Sequence, residues 1–305
     1  MAIFRLGLVG AGRMGRTHLR ALAASESVAI VAVAEPAPSV RDELAQTGLA
    51  VHAELGAMLD GDGIDGVLIA APSDNHLALV SHAAAFGLPI LCEKPCGTTA
   101  IQAAEAARIT HAAGVPLQIA YWRRFVPALR SLRRRITDGA FGGIYLAACY
   151  QWDERPPPVS FRDHSGGIFV DMGVHEFDQL RWLTGQDITA VHASATTIAE
   201  EPNVPGDAES AHVLCDLSGG STGLVSLGRR FPHGDVCWAH IFGTRDAEEC
   251  RFLWPPDAES AFLHALRLQA ESFARGADGT ETDAARAEDA VAALTAAETA
   301  SQALR

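Results

Sequence analysis

Positive charge is what this sequence has least of. It carries 24 Lys and Arg against 37 Asp and Glu, a net charge of −13 with a pI near 5.3. A phosphate backbone demands a concentrated basic surface, so this balance argues against nucleic acid as a partner. The one basic cluster, Arg123, Arg124, Arg130, Arg133, Arg134 and Arg135, reads as a solvated helix face. Regularly spaced cysteines are also missing. The six, at 92, 96, 149, 215, 237 and 250, contain no Cys-x-x-Cys pair. Cys92 and Cys96 lack the further thiolate or histidine ligands at suitable spacing that zinc needs, so no metal is expected. The start of the chain lacks a charged n-region followed by an apolar h-region, and no apolar run approaches the roughly 20 residues of a membrane span. Free thiols in a reducing cytoplasm and no membrane contact are the expectation. No internal repeat or low-complexity linker is visible. With 305 residues, 48% hydrophobic and 20% charged, the chain is long enough for two domains, each with its own core.

What is present begins as an alternation of strand and helix. Residues 3–9 read as a strand, a glycine loop and a helix to about Ala24 follow, and the apolar run Val28–Ala34 completes a βαβ unit. Val67–Ala71, Pro89–Cys92 and Leu117–Tyr121 are further short apolar runs, with helical patterns at His76–Phe86 and Thr99–Ala113. A parallel sheet covered on both faces is the economical reading. Beyond this the pattern changes. A helix around Phe169–Leu183 is followed by strand-like runs at 188–198, 210–217, 222–228 and 236–242, with no crossover helix between neighbours. Two Ala-rich helices, about 258–275 and 284–304, close the chain. The fold class is therefore α/β: a Rossmann dinucleotide-binding domain at 1–120, then an α+β domain at 121–305 with an open, largely antiparallel sheet.

The loop Gly10-Ala11-Gly12-Arg13-Met14-Gly15 stands between a strand and a helix, the context a dinucleotide fingerprint requires. Gly10 permits the tight turn, Gly12 lets the backbone approach a pyrophosphate, and Gly15 lets the helix pack close to the sheet. Glu35, 20 residues past Gly15, ends the second strand. There a carboxylate accepts hydrogen bonds from a ribose diol and repels a 2′-phosphate, which favours NAD; Arg41 is the one feature favouring NADP. Ala71, Pro72 and Ser73 cap the next strand, with Ser73 or Asp74 as helix N-cap, and His76 is read as a structural residue beside the cofactor.

Lys94 ends an otherwise buried run, Leu-Pro-Ile-Leu-Cys-Glu-Lys-Pro, and a lysine there needs a reason. Asp171 and His175 are four apart and Asp178 three further on, so a helix lines them along one face. Histidine supplies a base of near-neutral pKa for removing a proton from a secondary alcohol, and a carboxylate fixes its tautomer or holds a neighbouring hydroxyl. The bland alternative is a helix cap and a satisfied core histidine.

The glycine loop, Ala71-Pro72 with His76, Glu93-Lys94-Pro95, Tyr121-Trp122-Arg123-Arg124-Phe125 and the stretch Gly166 to Asp178 together resemble the glucose-fructose oxidoreductase/inositol dehydrogenase/MocA family, above all its myo-inositol 2-dehydrogenases and sugar dehydrogenases. The resemblance covers roughly the first 185 residues. It implies Lys94, Asp171 and His175 as a catalytic trio, with Glu93 orienting Lys94, and a second-domain sheet that supports the pocket and subunit contacts. It thins beyond residue 200, where Leu266 and Gln269 stand in place of an expected tyrosine and glutamate. Arg124, Gln151 and Asp153 are expected to join the trio at the substrate, with Asp163, His164 and Trp238 as further pocket residues. The implied activity is NAD-dependent oxidation of a cyclic polyol or sugar in a homodimer or homotetramer. A biosynthetic sugar or aminocyclitol oxidoreductase working through a keto intermediate, and a dinucleotide sensor without turnover, are the rivals.

Overall fold

A computed structural model describes residues 2–61, 63–197, 207–277 and 283–304. In chain order the elements are β1 (Phe4–Val9), α1 (Arg13–Leu22), β2 (Val28–Ala34), α2 (Pro38–Ala45), β3 (Ala50–His52), α3 (Leu55–Gly61), β4 (Gly66–Ile69), α4 (His76–Ala85), β5 (Ile90–Cys92), α5 (Ala100–Ala113), β6 (Leu117–Ile119), α6 (Pro127–Thr137) and β7 (Ile144–Trp152). There follow α7 (Val159–Arg162), α8 (Val174–Thr184), β8 (Ile188–Thr196), β9 (Ser210–Leu217), β10 (Thr222–Gly228), β11 (Val236–Gly243), β12 (Ala247–Leu253), α9 (Ala258–Arg275), β13 (Ala285–Arg286) and α10 (Ala287–Ala303). The end expected for the β8 run, at Ile198, lies outside the described residues. Among the described residues no helix is long and apolar enough to cross a membrane.

The chain divides into two compact units. One comprises Met1–Gly97, Ile101–Trp122 and Leu263–Val291, and the other Thr98–Ala100, Arg123–Phe262 and Ala292–Arg305. The boundary near residue 122 matches the change of pattern in the sequence. The assignment of everything after 121 to one domain does not match: α9 from Leu263 onward and β13 return to the first unit, where β13 pairs antiparallel with β6.

In the first unit the strand order is β13-β6-β5-β4-β1-β2-β3, parallel apart from β13. Its central strands are buried on both faces, so β4 is the unbroken apolar run Gly-Val-Leu-Ile. The core gathers Leu6, Leu8, Val33, Leu68 and Leu91 with Ala270 and Phe273 of α9. The Phe273 ring meets Phe4 edge-on at 5.9 Å. The chain order reverses direction between β1 and β4, and a ligand of such a sheet binds beyond the carboxyl ends of the strands at that point.

The second unit has the order β12-β11-β7-β10-β9-β8, antiparallel except between β7 and β10. β9 alternates buried and exposed residues along its length, as a strand with one covered face must. α8 packs on β7 and β10, and α6 packs on α8. A widened π-helical turn, Phe169–Gly173, leads into α8, which ends at Gly185 in the left-handed conformation, φ 67°.

Candidate active site

In the first unit the glycine loop follows β1 and opens α1. Gly10 has φ +87°, and a Cβ on it would lie 2.9 Å from the backbone of Ala70 and Ala71. A Cβ on Gly15 would lie 2.1 Å from the Gly10 carbonyl oxygen, so the turn and helix close on each other only with glycine at both places. Gly12 is different: nothing lies within 4 Å of its added Cβ. Its openness sits at the start of α1, which has no side-chain N-cap and no acidic residue in its first turn. Unclaimed amides facing open space fit a pyrophosphate, with exposed Arg13 and half-buried Met14 beginning the helix.

Glu35 is buried at the end of β2, its Oε2 accepting from the Ala11 amide at 2.8 Å and its Oε1 from the Ala37 amide at 2.9 Å. The carboxylate thus braces the loop it was expected to neighbour and keeps lone pairs for a diol. Arg41 gives Nη1 to the carbonyls of Glu35 and Pro36, at 2.9 and 2.7 Å. It is spent on backbone rather than poised for a 2′-phosphate.

Beyond β4, Ala71 and Pro72 lead into a 3₁₀ turn at Ser73–Asn75. Neither Ser73 nor Asp74 caps α4: its N-cap is Asn75, without a side-chain hydrogen bond. His76 is 1% exposed, with Nδ1 2.7 Å from the Pro95 carbonyl and Nε2 2.8 Å from that of Ala71. Burial lowers its pKa against the opposing pull of the two carbonyls, so a neutral ring donates through one nitrogen at a time. It ties the Ala71 turn to the Lys94-Pro95 turn, whose peptide bond is cis.

Lys94 follows β5 directly and is the only lysine among the 305 residues; every other cationic side chain of fixed charge is arginine. That scarcity is a signal in plain sight, because a chain that uses arginine everywhere else keeps a compact ammonium here. Glu93 is buried beside it. Its Oε1 lies 2.7 Å from Nε2 of the fully buried His18, on α1, and its Oε2 accepts the Lys94 amide at 3.3 Å. His18 went unread in the sequence, although its place one turn beyond Gly15 points it at the same strand ends. Cys92 and Cys96 are buried free thiols, as are the other four cysteines, and burial raises the Cys92 pKa.

In the second unit the π turn carries Asp171, and α8 carries His175, 7% exposed. Asp178 does not extend their line as the helical spacing predicted. It is 1% exposed in a two-pronged ion pair with Arg124, Nε to Oδ2 being 3.0 Å. Arg124 is therefore committed inward rather than held out for a substrate. Arg123 is likewise buried, pairing with Glu176 and donating to Gln179 Oε1 at 3.0 Å and Gln151 Oε1 at 2.6 Å. Gln151 in turn donates Nε2 to Asp153 Oδ1 at 3.0 Å. Desolvation pushes the Asp153 carboxyl up to about 6 despite that bond. Asp163 and His164 are exposed. Trp238 lies on the sheet face opposite Gln151, stacked on Tyr150 at 4.4 Å, and so takes no part in this cluster.

The basic stretch also resolves into internal contacts. Arg130 covers Phe125, Arg133 covers Trp182, and Arg135 covers Phe141 while pairing with Asp246 and Glu248. The sequence reasoning missed one more pairing. Asp171 Oδ2 accepts from Arg229 Nη1 at 3.0 Å, 58 residues away.

A dinucleotide cradle on a Rossmann sheet, joined to a mixed-sheet unit carrying a carboxylate and an imidazole, defines an NAD-dependent oxidoreductase. Residues 4–121 match the model of the oxidoreductase family with an NAD-binding Rossmann fold, and residues 129–247 match that of the GFO/IDH/MocA C-terminal domain. The chain belongs to this GFO/IDH/MocA family. It is 55% identical over 306 residues to the rhizopine catabolism protein MocA of Rhizobium meliloti, covering 100% of this chain and 96% of that protein. With inositol 2-dehydrogenase of R. meliloti strain 1021 it shares 30% over 244 residues, 80% of this chain and 74% of the other. The same fold appears in scyllo-inositol dehydrogenase from Lactobacillus casei, solved with NAD(H) and scyllo-inositol. There the TM-score is 0.87 at 24% identity, over 99% of this chain and 97% of that one.

Proposed function

We propose that this protein oxidises a secondary hydroxyl of a cyclic polyol, reversibly, with Lys94, Asp171 and His175 as its catalytic groups. The observation that carries the neutral-substrate reading is the commitment of its arginines. A substrate carboxylate or phosphate normally demands a guanidinium clamp, and Arg123, Arg124 and Arg162, the candidates for one, are all buried in internal ion pairs. The groups that remain, an ammonium, an imidazole and carboxylates, suit vicinal hydroxyls.

NAD, when bound, supplies the hydride acceptor. The chain does the rest: His175 takes the proton from the substrate hydroxyl, and Lys94 donates to the same oxygen and stabilises its developing charge. Asp171 orients these partners, while Gln151 and Asp153 hold adjacent hydroxyls. Oxidation speeds up as pH rises, because only neutral imidazole accepts the proton. Names of relatives point the same way, inositol in one and rhizopine in the other.

Initial rates with NAD and with NADP over inositol isomers, rhizopine, D- and L-aldoses and 2-hydroxy acids test the reading. NAD-linked turnover of a cyclic polyol is expected. Turnover confined to acids or phosphorylated sugars overturns it, and nucleotide binding with no turnover of any compound favours a sensor.

A further inference from the structure

Asp171 is the end of a chain of alternating charges. Arg229 Nη1 reaches it at 3.0 Å, while Nη2 of the same guanidinium reaches Asp207 Oδ1 at 3.1 Å. Asp207 Oδ2 accepts from Arg162 Nε at 2.6 Å, Arg162 Nη2 donates to Glu209 Oε1 at 3.0 Å, and Glu209 Oε2 accepts from Arg230 Nε at 3.1 Å. Arg229 is 0% exposed, and Asp207, Arg162 and Glu209 are each below 9%. Burying so many charges gains little stability over apolar packing, since desolvation offsets the attraction. What such a chain does provide is fixed geometry.

The backbone holds Arg229 in place independently. Its amide donates to the Glu209 carbonyl at 2.8 Å, and the preceding Gly228 carbonyl accepts from Asp153 at 2.9 Å. A Cβ on Gly228 would lie 2.1 Å from the Trp152 ring, so β10 and β7 close tightly just before Arg229. Asp171 itself stands in a widened π turn, Phe169–Gly173, at the entry to α8. Among the described residues of this unit, the charged groups near it include Arg229 after β10 and Asp153 after β7, with His175 one turn along its own helix.

We propose that Arg229 is a positioning residue, which holds and aims the Asp171 carboxylate while Asp207 and Arg162 hold Arg229 from behind. The assignment rests on the catalytic role given above to Asp171. Because Arg229 acts through Asp171, its effect on rate vanishes where Asp171 is already neutralised.

The test joins kinetics to a titration that needs no turnover. The carbon-13 carboxyl signal of Asp171, assigned by Asp171→Asn, is followed with pH in the wild type, Arg229→Gln, Arg229→Lys and Asp207→Asn. kcat on the polyol turned over by the wild type is measured for the same proteins and for Asp171→Asn with and without Arg229→Gln. Arg229→Gln is expected to change the Asp171 carboxyl signal and its course with pH, and to lower kcat by about 10²-fold, the scale of a misplaced catalytic group, with NAD affinity unchanged. Arg229→Lys and Asp207→Asn, which retain the charge at 229, should fall in between. In the Asp171→Asn background Arg229→Gln should add nothing. An unmoved Asp171 titration, or additive losses in the double variant, overturns the proposal. Should Arg229→Gln fail to fold, Arg229→Lys and Asp207→Asn decide by the same titration. A shifted titration in a protein that turns over no polyol rejects the functional reading and leaves the positioning intact.

Discussion

A single lysine makes the chemistry at Lys94 separable from all other cations of the chain. Lys94→Ala and His175→Ala are each expected to lower kcat by about 10² or more, as removal of one acid/base or oxyanion-stabilising group does, with the NAD dissociation constant little changed. Lys94→Arg should not restore the rate, since a planar guanidinium does not replace a compact ammonium. Near wild-type turnover in either alanine variant removes that residue from the mechanism. Asp153 offers a pH test of a different kind. Its carboxyl is pushed up to about 6 in the fold from an ordinary 3.8. The native state therefore binds its proton more tightly than the unfolded chain, and the stability this gives is complete below about 4 and lost as pH rises through about 6. Asp153→Asn removes that dependence. In urea melts, wild type should lose on the order of 1 kcal/mol relative to the variant across this interval, less than a fully buried shift implies because the side chain keeps some solvent contact. Parallel pH profiles would show that Asp153 titrates normally.

At the level of elements, the glycine loop separates packing from ligand space. Gly15→Ala places a methyl against the Gly10 carbonyl and should lower both the melting temperature and NAD affinity. Gly12→Ala meets nothing within 4 Å, and its φ of −70° suits any residue. It should melt like wild type yet bind NAD at least about tenfold more weakly, because the added methyl occupies pyrophosphate space. Unchanged NAD affinity in Gly12→Ala would move the pyrophosphate elsewhere. The loop's strand-to-helix setting was legible in the sequence because its pattern is local: strand, glycines and helix are consecutive. The parallel sense of the first sheet was legible for the same reason, helices alternating with strands, but its order was not: α3 joins β3 to β4, which lie apart with β1 and β2 between them. The return of α9 was not, since periodicity shows that a helix has an apolar face without showing which core receives it. Phe273 meeting Phe4 is a contact between opposite ends of the chain. The π turn left no mark on the spacing of Asp171 and His175, and nothing in that spacing announced that Asp178 pairs with Arg124. Pairs such as Asp171–Arg229, 58 residues apart, exist only once the strands of the second sheet have found their order.

For the molecule as a whole, the second sheet poses the question of what covers its outer face. Cys237, Ala239 and Ile241 of β11 are buried toward α8, while Trp238, His240 and Phe242 alternate to the other side. In register with Trp238 come Tyr150, Ser226 and His212 across β7, β10 and β9, and the next row includes Leu224 and Leu214, the latter 51% exposed. These rows are mostly aromatic and aliphatic, with Glu249 opposite His240 on edge strand β12 and Asp216 two residues beyond Leu214. An apolar face of this kind is expected to bury itself against a second copy, and a two-fold operator sets the same patch against itself. Sedimentation of the wild type at micromolar concentration should therefore give a dimer or tetramer. Leu214→Glu introduces a carboxylate that each copy presents to its mate, and should weaken association at least about tenfold while the separated subunit melts much as before, because the side chain is already half in water. A wild type that sediments as a monomer rejects the assembly. An oligomer unaffected by Leu214→Glu places the interface on another face.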